Sequence, residues 1–232
     1  MKMKKRLFIP LLVLTVLFVG STSGWALDII AEEGFSYQQV TEIKVQGQFC
    51  DVEVIGKDQA GVDFKGKIAA EGFRLGSKYQ IKYQKKAGKV RVWVVEKQPG
   101  ICFGQIKGKL KFFVPQDIPV QIETTAGDVA CKQITGDQKL TTSSGDVEVS
   151  KCRGSLQVDT TSGDQSYHQI TGDLAIESSS GDIEITTLTG NLAANSSSGD
   201  HDYLDVAGQC RVETSSGDLE LEEIKGQLQL ET

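Results

Sequence analysis

A chain of 232 residues with a formal charge of −6, 39% apolar residues and 7% aromatics has room for one sizeable domain. The acidic balance argues against a nucleic-acid partner, and a single long apolar run argues against a polytopic helical membrane protein. What remains is an acidic chain whose 25 glycines are far from evenly placed.

Residues 1–26 read as an export signal. Met1 to Arg6 hold four basic residues, Leu7 to Gly20 are apolar apart from Pro10 and Thr15, and Gly24-Trp25-Ala26 places small residues where a signal peptidase inspects the chain, which sets cleavage before Leu27. The apolar run is shorter than the roughly 20 residues needed to span a bilayer. Its removal takes the formal charge from −6 to −10 and implies a periplasmic, cell-surface or secreted location with no transmembrane helix remaining. Five cysteines in an exported chain permit disulfides. Cys131, Cys152 and Cys210 fall at expected core positions and read as small buried hydrophobes, which leaves Cys50 and Cys102, outside the regular repeat, as the candidate disulfide pair.

Residues 27–111 read as an N-terminal β lobe. Val40 to Val54 is a degenerate first coil of the array that follows, because Asp51-Val52-Glu53-Val54 reproduces Asp146-Val147-Glu148-Val149. Residues 62–68, 79–83, 89–95 and 106–114 alternate apolar and polar positions and predict strands, with a hairpin turn over Lys85 to Gly88. One parity is apolar. The other carries Lys65, Lys67, Lys82, Arg91, Lys107, Lys109 and Lys111 together with Trp93, and because side chains alternate faces along a strand these gather on one solvent-facing surface suited to an anionic ligand. The same lysines also read as ordinary solvated residues that protect edge strands from aggregation. Residues 62–111 sum to +10 and residues 112–232 to −15, an asymmetry that concerns partners or self-association rather than fold.

Residues 112–232 read as a regular β-solenoid. Gly-Asp recurs at Gly127, Gly145, Gly163, Gly181, Gly199 and Gly217, every 18 residues, and Gly136, Gly154, Gly172, Gly190, Gly208 and Gly226 fall midway. Self-similarity at a fixed period marks a stacked repeat. Between the glycines the columns Val129/Val147/Gln165/Ile183/His201/Leu219, Ile134/Cys152/Ile170/Leu188/Val206/Ile224 and Gln138/Leu156/Leu174/Leu192/Cys210/Leu228 are overwhelmingly apolar, while the intervening residues are Glu, Ser, Gln, Asp and Thr. Each coil of two nine-residue halves therefore supplies short half-buried strands that bury their apolar edge only by stacking on neighbours. The expected fold is an all-β parallel solenoid with an N-terminal strand lobe.

The motif [Thr/Ser]-Ser-Gly-Asp-[Val/Ile/Leu]-Glu-[Val/Leu], as in residues 141–149, 177–185 and 213–221, resembles the bacterial putative-adhesin family of exported β-strand repeats. The resemblance covers residues 40–232 and implies an envelope-associated interaction protein; it supplies no catalytic residues.

The column Asp128, Asp146, Asp164, Asp182, Asp200, Asp218 stacks carboxylates about 5 Å apart. It reads either as a structural corner, each Asp accepting backbone and serine hydrogen bonds at its own turn, or as a calcium ladder. Calcium is the only cofactor the pattern suggests, and the second half-coil lacks a matching acidic column. The hydroxyls before each Asp form a ladder along the stack. His168 and His201 lie in different coils and no acid–base group converges with them, so a non-catalytic, adhesin-like binding or scaffold module is expected, with a cell-envelope polymer or protein as partner. The alternatives are a head-to-tail self-assembling solenoid, a calcium-stabilised repeat protein and a glycan-active enzyme.

Overall fold

The computed structural model describes residues 28–76 and 78–231, so the expected signal peptide lies outside the described residues. Period-two alternation interrupted by glycine supports only short extended segments, and every regular element among these residues is a strand, with no helix long and apolar enough to cross a membrane. Before the array come β1 (Asp28–Gln38), β2 (Glu42–Gln48), β3 (Cys50–Lys57), β4 (Gly61–Leu75), β5 (Lys78–Lys86), β6 (Lys89–Gln98) and β7 (Ile101–Pro115). The array itself runs β8 (Val120–Thr124), β9 (Val129–Lys132), β10 (Gln138–Thr142), β11 (Val147–Ser150), β12 (Leu156–Thr160), β13 (Gln165–Thr171) and β14 (Leu174–Ser178). It ends with β15 (Ile183–Thr189), β16 (Leu192–Ser196), β17 (His201–Ala207), β18 (Cys210–Thr214), β19 (Leu219–Lys225) and β20 (Leu228–Glu231).

These strands form two ten-stranded sheets, each coil giving one strand to each. The first sheet runs β1-β4-β7-β3-β9-β11-β13-β15-β17-β19 and the second β20-β18-β16-β14-β12-β10-β8-β2-β6-β5. From β8 onward every pair is parallel and in register at a spacing of 18 residues, as in Val147↔Gln165 and Leu156↔Leu174. The solenoid expected from the glycine grid is the observed fold. The first coil expected at Val40 to Val54 also stacks on the array, since Ile43 pairs with Val120 and Val52 with Val129.

The remaining N-terminal strands extend the same two sheets. β6 lies parallel to β2 and β7 parallel to β3, so together they act as one more coil placed before the first. Antiparallel β5, β4 and β1 then close that end, with the β5–β6 hairpin turning at Ala87 and Gly88, both at positive φ. Phe35, Phe64 and Phe112 stack with centroids 4.7–5.1 Å apart, and the Lys85 ammonium sits 4.4 Å over the Phe35 ring. One core runs between the sheets through both halves of the chain, including Val45, Val54, Phe112, Val149, Ile185 and Val212, all under 1% exposed.

The expected Cys50–Cys102 disulfide is corrected by the strand register. Cys50 is a free, buried thiol whose partner on β7 is Gly108, and a side chain at Gly108 would occupy the space of the Cys50 sulfur. Cys102 stands earlier on the same strand, opposite Arg74; that is about 20 Å along the strand, beyond the Cα separation a disulfide spans.

Candidate functional site

The strand register builds two continuous rows of outward side chains across the first sheet. The row at the start of each strand is Asp128, Asp146, Asp164, Asp182, Asp200, Asp218, and β3 adds Asp51. Each of these carboxylates below Asp218 accepts, through Oδ1, the backbone N–H of the next Asp up the stack: Asp146 N to Asp128 at 3.0 Å, Asp164 N to Asp146 at 2.9 Å, Asp200 N to Asp182 at 2.8 Å. The first rung, Asp128 N to Asp51, is 3.3 Å. The ladder thus ties one coil to the next, where the sequence reading expected each Asp to serve its own corner. One carboxylate oxygen is spent on this bond, which fixes the row in line.

Hydroxyls reinforce the same corner. Ser162, Ser180 and Ser198 donate to the carbonyls of Ser143, Thr161 and Ser179 in the coil below, at 3.2, 3.3 and 3.4 Å. Behind them a column missed from the sequence, Thr142, Thr160, Ser196 and Thr214, is almost fully buried. Thr142 Oγ1 accepts the Gly145 N–H at 3.1 Å, and Thr160 donates to the Ser162 carbonyl at 3.1 Å.

The second outward row, two residues further along each strand, is Glu148, Ser166, Glu184, Asp202 and Glu220, continued by Ala130 and then Glu53. A groove of about 730 Å³ runs between the two rows from Asp128 to Glu220. Among the described residues no group of three or more His, Cys, Asp or Glu side chains converges closely enough to hold a metal ion.

Both rows change sign where they cross onto β7 and β4. Asp51 is opposite Lys109, which is opposite Lys67; Glu53 is opposite Lys111, which is opposite Lys65. Lys107 flanks them, and Lys67 meets Glu32 and Lys65 meets Gly34 on β1. Glu53 bridges Lys111 at 3.0 Å and Lys109 at 3.5 Å. Partial burial works against its ionisation, but the hydrogen bonds and charges of Lys111 and Lys109 hold its carboxyl below the usual range. Lys65, Lys67 and Lys107 have no ion pair among the described residues. Like charges directly opposite in a sheet are destabilising, so this is a local conflict that packing does not explain.

Lys82, Arg91 and Trp93 are separated from this patch. They project from β5 and β6 in the second sheet, where Arg91 hydrogen-bonds Gln46 and lies 5.4 Å over the Trp93 ring. The expectation of one basic surface therefore resolves into two, because strand parity fixes which side of its own sheet a residue faces but not which sheet the strand joins.

The two histidines do not converge. His168 is exposed on β13, and His201 on β17 points inward, 2% exposed, with Nδ1 2.9 Å from the Tyr203 hydroxyl and Nε2 without a partner among the described residues. Gln165 and Tyr167 repeat this arrangement two coils below, Tyr167 donating to Gln165 Oε1 at 2.7 Å. Burial pushes the His201 pKa down, against the opposing pull of Asp182 and Asp200. An unfolded chain, with histidine near 6.5, then binds more protons than the native one as pH falls from that value through the depressed native pKa, so stability is complete above it and declines toward acid. His201→Leu, which matches Leu219 in the adjacent coil, is expected to shrink the difference in melting temperature between neutral pH and mildly acidic buffer; an unaltered difference refutes this role. The free thiols offer no reactive group, since burial raises their pKa, to about 12 for Cys50 with Asp51 adding to the effect.

The Toastrack DUF4097 family profile matches residues 108–231. Among solved structures, a putative adhesin from Bacteroides fragilis is similar with a TM-score of 0.46 at 15% identity, over 86% of this chain and 96% of its own. A putative cell adhesion protein from Clostridium sporogenes has a TM-score of 0.41 at 10% identity, over 82% and 98%. A putative lipid binding protein from Parabacteroides distasonis has a TM-score of 0.35 at 13% identity, over 86% and 96%. No curated protein matches.

Proposed function

This chain belongs to the Toastrack DUF4097 family, and we propose that it is an exported, non-catalytic binding module of the bacterial envelope that holds an anionic envelope polymer on the lysine end of its first sheet. The observation that carries this reading is the sign change of the two rows, which leaves Lys65, Lys67 and Lys107 without an ion pair among the described residues, beside Lys109 and Lys111 on a hydrogen-bonded scaffold. A sheet held in register on both sides presents these ammonium groups at repeating separations of about 5 Å along the stack, which suits a polymer with regularly spaced anionic groups better than a single small ligand. The carboxylate beside these lysines, Glu53, is engaged by Lys111 and Lys109, and the inward His201 is hydrogen-bonded to Tyr203, which leaves both committed to the scaffold rather than to acid–base work.

Contacts of this kind are individually weak and screened by salt. A lysine close to an anionic surface contributes about 1 kcal/mol, so reversing three should lower retention on isolated envelope by about 100-fold. The variant Lys65→Glu, Lys67→Glu, Lys107→Glu avoids the Glu53 bridges. Its retention on envelope at moderate ionic strength is expected to collapse with the melting temperature little changed, and retention equal to wild type refutes the reading.

A further inference from the structure

Lys82, Arg91 and Trp93 belong to the second sheet and take no part in the lysine end of the first. The register sets them in two outward rows, one running Lys82, Trp93, Gln46, Glu123 and the other Gln84, Arg91, Lys44, Gln121. Along the stack the first row continues as Thr141, Asp159, Glu177, Asn195, Glu213 and Glu231. Every member except Trp93 is polar. A part-exposed ring in such a row is not placed there by the core, which on this strand is filled by Val90, Val92 and Val94.

The polar groups around the ring are already organised. Glu123 accepts Lys44 Nζ at 2.7 Å, Gln46 Nε2 at 2.8 Å and Gln121 Nε2 at 2.9 Å. With its amide nitrogen so committed, Gln46 offers Oε1 to Arg91, whose guanidinium donates to it at 2.5 Å and lies 5.4 Å from the centroid of Trp93. This relay holds Arg91 against the ring and leaves its other N–H donors for a ligand. Glu42, the second outward carboxylate on β2, β5, β6 and β8, is bridged by Lys89 at 2.5 Å. Glu96, on the inward parity opposite Tyr79, lies off this face, and the exposed Lys86 and Lys97 add positive charge beside it. Lys82 has no ion pair or hydrogen bond among the described residues. A part-exposed indole is thus flanked by two cations, Arg91 and Lys82, neither of them bridged by a carboxylate.

We propose that this corner of the second sheet binds a sugar acid, with the C–H face of a pyranose on the Trp93 ring and its carboxylate on Arg91 and Lys82. The face of an indole is electron-rich and attracts the polarised C–H groups of a sugar, and a guanidinium fork matches a carboxylate in a bidentate pair. Gln84 opposite Arg91 and Gln80 opposite Val95 supply amides for the hydroxyls. A bare phosphate would use the cations and leave the ring uncovered, and an apolar ligand would bury the cations unpaired. The site is short, because Asp159 and Glu177 turn the same row acidic beyond Thr141 and β5 is the edge of the sheet. It therefore takes a sugar at a chain end or branch rather than a length of polymer, and it is independent of the lysines on the first sheet.

The chain has two tryptophans, Trp25 and Trp93, so in the full chain carrying Trp25→Phe the indole emission reports on Trp93 alone. Titration with digalacturonate, a hyaluronan tetrasaccharide and sialyllactose is expected to change that emission saturably for at least one of the three. Maltose and lactose, which lack the carboxylate, are expected to bind at least about tenfold more weakly than the responding sugar acid, and tripolyphosphate, which lacks the ring, to give no saturable change. By calorimetry, Trp93→Leu is expected to weaken the responding sugar acid about fivefold or more, and Arg91→Gln with Lys82→Gln at least about tenfold, with a flatter dependence on salt. No saturable change with any of the three sugar acids, equal affinity for the neutral sugars, or an equal response to tripolyphosphate overturns the proposal. So does unchanged affinity in Trp93→Leu; should that variant not fold, unchanged affinity in the Arg91→Gln, Lys82→Gln protein has the same force. The variant Lys65→Glu, Lys67→Glu, Lys107→Glu separates this site from the one on the first sheet: it is expected to keep wild-type affinity for the sugar acid while losing envelope retention, and loss of sugar binding in it would overturn the assignment to the second sheet.

Discussion

Gly181→Ala is expected to destabilise the protein by more than about 3 kcal/mol, which for a domain of this size lowers the melting temperature by about 6–12 °C or more. Two independent costs coincide at this corner. Gly181 has φ +108, a region that L-residues rarely adopt. An added Cβ would also overlap the carbonyl oxygen and carbon of Gly163, the equivalent glycine one coil below. Those atoms are backbone fixed by parallel pairing on both sides, so no rotamer change relieves the overlap, and separating the coils would break the Asp164–Asp182–Asp200 rungs at 3.0 and 2.8 Å. Gly34→Ala is the matched control: it lies on exposed β1, and its Cβ would stand 3.2 Å from a single carbonyl, that of Phe64. Melting temperatures of the two variants should differ widely. Equal melting would mean that the glycine column is not held by close approach of the coils.

The contrast explains why the array was legible before the structure and other parts were not. A glycine every nine residues, with mostly apolar residues two and four positions on, leaves a stacked coil as the arrangement that buries the apolar set. Asp51-Val52-Glu53-Val54 betrayed the first coil by the same pattern. The third bend of each coil was hidden, because it falls at Gln133, Lys151, Gln169, Thr187, Asp205 and Glu223, all at φ between 54° and 66° without a glycine among them. A lone residue in the left-handed region costs of order 1–3 kcal/mol, and here pairing above and below overrides a preference that sequence reading relies on. β1 was missed as well, since Asp28, Glu32 and Glu33 mask its alternation.

The candidate site was half legible for a related reason. Parity alone identified the lysines as outward, and the acidic column was plain from its period. That the two lie in the same pair of rows depends on the antiparallel register of β4 with β7 and the parallel register of β7 with β3. Neither register is local: the residues that set them, such as Asp51 and Lys109, are far apart in sequence, and a register slip of one residue would have turned the lysines inward.

Excising one whole coil, residues 163–180, is expected to leave a cooperatively folding protein, whereas excising the half-coil 163–171 is expected to abolish it. In the first case Ser162 is followed by Gly181, Ile183 falls over Val147 where Gln165 stood, and Ile185 over Val149 where Tyr167 stood. Every column is preserved, the Asp ladder continues from Asp146 to Asp182, and an array whose coils contact only their neighbours loses one repeat's share of stability. In the second case each later strand changes sheets. Ser179 and Ser197 then fall in the column held by Ile134, Cys152 and Ile170, while Leu188, Val206 and Ile224 move to the solvent-facing serine corner. Exposing a buried aliphatic side chain costs about 1.5–3 kcal/mol, and two of these three are fully buried and the third partly so; together with serines forced into the core, the loss approaches the whole stability of a typical domain, about 5–15 kcal/mol. Circular dichroism and thermal melts of the two deletions decide the matter. The shorter deletion must be the more damaging one, and a folded half-coil variant would show that the two sheets are interchangeable.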